Sequence, residues 1–118
     1  MGVEGVSDEQ VERQKCVVAA LRVLVNLTNH NEIGCSLLAQ ANGFQTAVDL
    51  LSTCNSVSGN VALDHDRFDV LTLALGVCIN GVELSAGNRE MLGSCRVKGH
   101  DSVWHLLVNL FRSRTGLQ

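Results

Sequence analysis

The chain contains no proline and no tyrosine, and only three phenylalanines and one tryptophan among its 118 residues. With no proline to break them, helices have to end at clusters of Gly, Asn and Ser. So few rings, with nine Lys+Arg against twelve Asp+Glu for a formal charge of −3, leave neither the stacking platforms nor the positive field that nucleic acid requires. No apolar run reaches the roughly eighteen residues of a membrane span, and the acidic, polar start has no signal-peptide pattern. Five cysteines make an odd number with no C-x-x-C pair, which excludes a disulfide framework and the common zinc modules. Cys16, Cys35, Cys54 and Cys78 sit in apolar runs and read as small buried hydrophobes of a reducing compartment. Catalytic patterns are also missing: no Gly-rich phosphate loop follows a strand, and no Ser/His/Asp or Cys/His group stands in a strand-turn-helix context. The expectation is a soluble, intracellular, non-enzymatic chain without a cofactor, whose partners are proteins, with no direct nucleic-acid or membrane binding.

What is present is 46% hydrophobic residues, enough for the core of one domain. Gly/Asn/Ser clusters at 29–31, 41–43, 55–60, 85–88 and 96–99 separate six apolar-periodic segments, and none of these alternates as a half-exposed strand would. The first, Asp8 to Thr28, opens on Ser7 and Gln10 at capping-box spacing. Short and medium segments follow at Glu32 to Gln40 and Phe44 to Cys54, with Gly43 expected at a positive-φ turn. The same long, short, medium order returns at Arg67 to Leu84, Asn88 to Gly93 and Asp101 to Ser113. Laying Asn26 on Asn80 also lays Leu21 on Leu75 and Val25 on Ile79, a period near 54 residues. Units that cannot bury their own apolar faces must stack. The expected fold is therefore all-α, an armadillo/HEAT-type helical-repeat solenoid fragment of about six helices. It forms a single piece over 1–118, with units near 8–54 and 65–113 joined by a loop at 55–64.

Leu24-Val25-Asn26-Leu27-Thr28, with Asn31-Glu32, Gly43 and Leu50-Leu51, resembles the armadillo consensus, in which an Asn closes the third helix. A more specific set runs from Arg67 to Leu92: Arg67-Phe68-Asp69, Leu73-x-Leu75-Gly76, Ile79-Asn80, Val82-Glu83, Ser85-Ala86 and Asn88-Arg89-x-x-Leu92. Together with Asn26-Leu27-Thr28 and Asn31-Glu32 upstream, it resembles the C-terminal domain of the Wapl (wings apart-like) family of cohesin-release factors. Gly81 and Gly87 depart from that pattern, and are expected to cost helix stability or loosen packing. The resemblance implies a nuclear protein of the cell cycle and chromosome segregation, which docks on cohesin subunits and their HEAT-repeat regulators by binding. A generic armadillo scaffold, or a structural spacer with another protein partner, is the alternative.

If the long third helices line a concave face, the stripes Lys15, Arg22, Asn26, Asn29 and Asp69, Gly76, Asn80, Glu83 are its interaction surface. With Arg67 and Arg89, this makes Arg22, Asn26, Arg67, Asp69, Asn80, Glu83 and Arg89 the candidate partner-binding residues. The plainer reading of Asn26 and Asn80 is that they bridge neighbouring helix ends through main-chain hydrogen bonds. Arg22 and Gly76 stand where nuclear-import armadillo proteins carry a Trp, which argues against a nuclear-signal groove. The run from Asp64 to Asp69 lacks calcium-loop spacing and reads as an acidic helix start. Cys95, His100 and His105 match no zinc ligand set, and Trp104 is expected to anchor the last helix. Apolar residues at both ends also predict self-association through the solenoid ends.

Overall fold

The computed structural model describes residues 7–55 and 61–115 and shows six α-helices, with no strand among those residues. Helix α1 spans Asp8–Thr28, α2 Glu32–Gln40, α3 Gly43–Ser52, α4 Val61–Glu83, α5 Ala86–Gly93 and α6 Val103–Thr115; a 3-10 turn, Thr53–Asn55, extends α3. The long, short, medium order repeats as expected. Helix α4 starts six residues ahead of Arg67 because nothing in 61–66 opposes a helix, and Asp64 lies in its first turn. Residues 61–64 of the expected loop are thus helical, and 56–60 lie outside the described residues.

Local chemistry sets the helix ends. Ser7 Oγ accepts from Gln10 N at 3.1 Å while Gln10 Oε1 accepts from Ser7 N at 3.1 Å, closing the capping box of α1. After α1, Asn31 serves both sides of the turn: its Oδ1 accepts from Gly34 N at 3.1 Å, and its Nδ2 donates to Leu27 O at 3.0 Å. One amide therefore satisfies an orphan donor of α2 and an orphan acceptor of α1. Ser85, 54 residues later, caps α5 by accepting from Asn88 N at 3.1 Å. Between α2 and α3 the positive φ belongs to Asn42 (60°) and not to Gly43, which opens α3. Asn tolerates the left-handed region. Gly43 is needed for another reason, since a Cβ there would press into Leu38.

The two units share one core. Val18 and Leu21 of α1, Leu38 of α2, Phe44, Val48 and Leu51 of α3, Val70, Ala74 and Val77 of α4, and Leu106 and Leu110 of α6 belong to a single buried cluster. Gly81 tightens this core, contrary to the loosening expected of it. A Cβ at 81 would lie 2.7 Å from Cε1 and Cζ of Phe44, so the bare backbone is what lets that ring become 99% buried. A Cβ at Gly87 would meet only Ser85 Oγ at 3.7 Å. Gln45 of α3 fastens the second unit like a strand partner: it accepts from Arg96 N at 3.0 Å and donates to Arg96 O at 2.8 Å in the α5–α6 connection. Two further expectations are corrected. Cys16 is exposed, although Cys35, Cys54 and Cys78 are buried. Trp104 is 69% exposed, so its ring is not buried as an anchor of the last helix among the described residues.

Candidate protein-interaction site

The two predicted stripes meet different fates. On α4, the positions Asp69, Gly76 and Asn80 point at α1. Asp69 Oδ2 stands 4.0 Å from Arg22 Nη2 and 3.8 Å from His65 Nε2. A Cβ on Gly76 would lie 3.5 Å from Val25 Cγ2, so glycine marks a close approach of the two long helices. Asn80 Nδ2 donates to Val25 O at 3.0 Å and to Thr28 Oγ1 at 3.2 Å. The second-unit stripe is therefore largely an internal seam, and the bridging reading of Asn80 holds. On α1, Arg22 and Asn26 are exposed, as are Asn29 just after it and Glu83 at the end of α4.

Asn80 belongs to a polar stitch that sequence inspection does not reveal. Thr28, only 1% exposed, returns its hydroxyl to Leu24 O at 2.7 Å while accepting from Asn80. Cys35 Sγ lies 3.3 Å from both Thr28 O and Asn80 O, sharing its S–H between the C-terminal ends of the two long helices. Burial, and after it the charges of Glu83 and Glu32, push the Cys35 thiol up, which keeps that donor protonated. Buried Asn88 continues the stitch from α5, donating to Gly81 O at 2.9 Å and Cys35 O at 3.4 Å. Each of these groups satisfies a carbonyl that the end of a helix would leave orphaned or underused. Thr28, Cys35 and Asn88 were missed because their partners lie across the fold. The only sequence hint is a polar or thiol residue inside each apolar segment.

The predicted arginines are also partly engaged. Arg89 Nη1 donates to Val82 O at 2.8 Å and Glu83 O at 3.4 Å, capping the C-terminus of α4 from outside. Arg67 Nη1 lies 3.9 Å from Asp64 Oδ1 on the same helix. No group of three or more His, Cys, Asp or Glu among the described residues could hold a metal. His105 Nδ1 is 3.0 Å from Ser102 Oγ, a contact at the start of α6. Of the predicted partner-binding residues, Arg22, Asn26, Glu83 and Arg89 are exposed, as are the apolar Val23, Leu27 and Ile79.

An all-helical stack whose two long helices are joined by a polar seam defines a helical-repeat chain. Residues 5–88, more than half of the chain, match the family described as wings apart-like protein regulation of heterochromatin. The chain is 35% identical over 79 residues to the wings apart-like protein homolog of Homo sapiens, covering 67% of this chain and 6% of that protein. It is 28% identical over 100 residues to wings apart-like proteins 2 and 1 of Arabidopsis thaliana, covering 70% of this chain and 12% and 11% of theirs. The chain belongs to the wings apart-like family, and spans only a small part of the length of these relatives. No solved structure matches it.

Proposed function

We propose that this chain is a protein-binding segment of a Wapl-type regulator that promotes release of cohesin from chromatin, acting in the nucleus through contacts with cohesin subunits and their HEAT-repeat regulators and not through catalysis. The observation that carries the reading is the family match across 5–88, which takes in α1 to α4 and the stitch between them. The binding residues are those still open to solvent, Arg22, Asn26 and Glu83, with Arg67, Asp69 and Arg89 at their margin; Asn80 holds the seam beneath them. An affinity-tagged chain mixed with purified cohesin subunits and their HEAT-repeat regulators tests this. A specific complex that Arg22→Glu/Asn26→Ala abolishes, with an unchanged melting temperature, supports it. No complex with a chain shown to be folded overturns it.

The second reading, a structural spacer within a longer stack, draws on the exposed apolar residues at both ends: Val23, Leu27, Ile33 and Leu37 at one, Trp104 and Phe111 at the other. It expects self-association, and no cohesin complex from this segment.

A further inference from the structure

We propose that the polar cleft between the starts of α2 and α5 is a binding site for one basic side chain, lysine or arginine, presented by a protein partner. The cleft measures about 180 Å³ and is lined by Glu32, Cys35 and Ser36 of α2, by Leu84 and Ser85 just ahead of α5, and by Asn88 in the first turn of α5. Asn88 Nδ2 builds it by donating to Gly81 O at 2.9 Å and to Cys35 O at 3.4 Å, which holds α5 against α2 and the end of α4. No lining residue belongs to the cohesin reading, so either proposal can fail while the other stands. Asn88 itself points to a ligand. It is only 8% exposed, and its amide nitrogen is spent on two carbonyls, while its Oδ1 accepts no hydrogen bond among the described residues. That oxygen is not sealed in the core, since among those residues the sealed side-chain atom without a partner is Asp66 Oδ2. A nearly buried amide whose acceptor end opens on the cleft it lines lacks a donor, and an outside group has to supply it.

Charge decides which donor. Glu32, in the first turn of α2 and on the cleft wall, carries a full negative charge and makes no ion pair among the described residues. The hydroxyl oxygens of Ser36 and Ser85 add acceptor lone pairs beside it. Each helix start opposes this with only about half a positive charge, and Asn31 and Ser85 already cap the N–H groups of Gly34 and Asn88. Arg89 is held on Val82 O and Glu83 O and does not line the cleft. After burial, the charges of Glu83 and Glu32 are what push the Cys35 thiol up, so the field at this wall is negative. A cationic donor therefore satisfies the carboxylate and the Asn88 oxygen together, where an anion would meet Glu32 head-on. Leu84, 46% exposed, gives the methylene stem of such a side chain an apolar wall.

The test is an NMR titration of the whole isotope-labelled chain, with acetyl-Gly-Arg-Gly-amide and acetyl-Gly-Lys-Gly-amide as the probes. Saturable shifts are expected at the side-chain amide of Asn88 and at the backbone amides of Glu32, Ser36 and Ser85. Glu32→Gln should weaken the affinity about threefold, the worth of one ion pair at a rim. Ser36→Leu, which fills the mouth of the cleft without changing charge, should remove the shifts. Both positions are exposed, and unchanged circular dichroism checks the fold of each variant. Acetyl-Gly-Glu-Gly-amide should leave these signals where they are. No saturable shift at these atoms overturns the proposal. Equal shifts from the glutamate peptide, or shifts that survive both substitutions, also overturn it, because either marks a general ionic response of this surface and not a site.

Discussion

Asn80→Ala is the sharpest perturbation the structure offers. The substitution removes donors to Val25 O and Thr28 Oγ1, at 3.0 and 3.2 Å across the seam between α1 and α4. Two hydrogen bonds at about 1 kcal/mol each, with the added cost of the space left in the seam, sum to about 2–3 kcal/mol. The better helix propensity of alanine returns about 0.6 kcal/mol. The net expectation is a loss of about 2 kcal/mol, which for a chain of this size lowers Tm by about 8 °C. Asn80→Asp should lose more, about 3 kcal/mol, because a carboxylate cannot donate and faces the negative end of α1. Urea unfolding measures both, with an unchanged m-value as the control. A double-mutant cycle with Thr28→Val should return a coupling of about 1 kcal/mol. If Asn80→Ala stays within about 0.5 kcal/mol of wild type and adds linearly to Thr28→Val, the seam does not depend on this amide and the reasoning fails.

Other perturbations separate the remaining forces. Gly34→Ala places a Cβ against the carbonyl oxygen of Leu27, which is backbone and cannot yield, and should cost about 2 kcal/mol in the same assay. Arg22→Ala should change stability by less than about 0.5 kcal/mol, since its ion pair with Asp69 is long and its side chain is 65% exposed; a larger loss in thermal melts would make it a structural residue. Burial, with Cys95 nearby, pushes Cys78 up to about 11 from 9.0. Below pH 9 its thiol is protonated in both states, whereas above it only the unfolded chain gives up the proton, so stability falls between pH 9 and 11 at about 1.4 kcal/mol per unit. Cys78→Val should flatten that part of the pH profile relative to wild type, and a parallel profile would count against the assignment.

Features whose cause is local were legible in the sequence. Ser7 and Gln10 carry the whole capping box within four residues, and the breaks at 29–31 and 41–43 follow from Asn and Gly chemistry alone. Where two adjacent residues both suit a turn, sequence does not choose: Asn42 takes the left-handed conformation while Gly43 answers to Leu38, a neighbour known only once α2 and α3 have met. Gly81 fails the same test. Counted by helix propensity it is a loss, but counted with Phe44 across the core it is the condition for packing. Cys16 was misplaced because hydrophobic spacing shows that a face is apolar and not that something covers it.

The two predicted stripes show how residues equivalent in sequence come to differ in exposure. Asn26 and Asn80 do occupy the same register, and the N-caps Asn31 and Ser85 keep that register at the next turn. Equivalence in a stack, however, is equivalence of position relative to neighbours, and among the described residues no helix lies along α1 as α3 lies along α4. Asn80 finds Val25 O and Thr28, whereas Asn26 faces solvent. The same asymmetry leaves Val23 and Leu27 open where Val77 and Gly81 are closed.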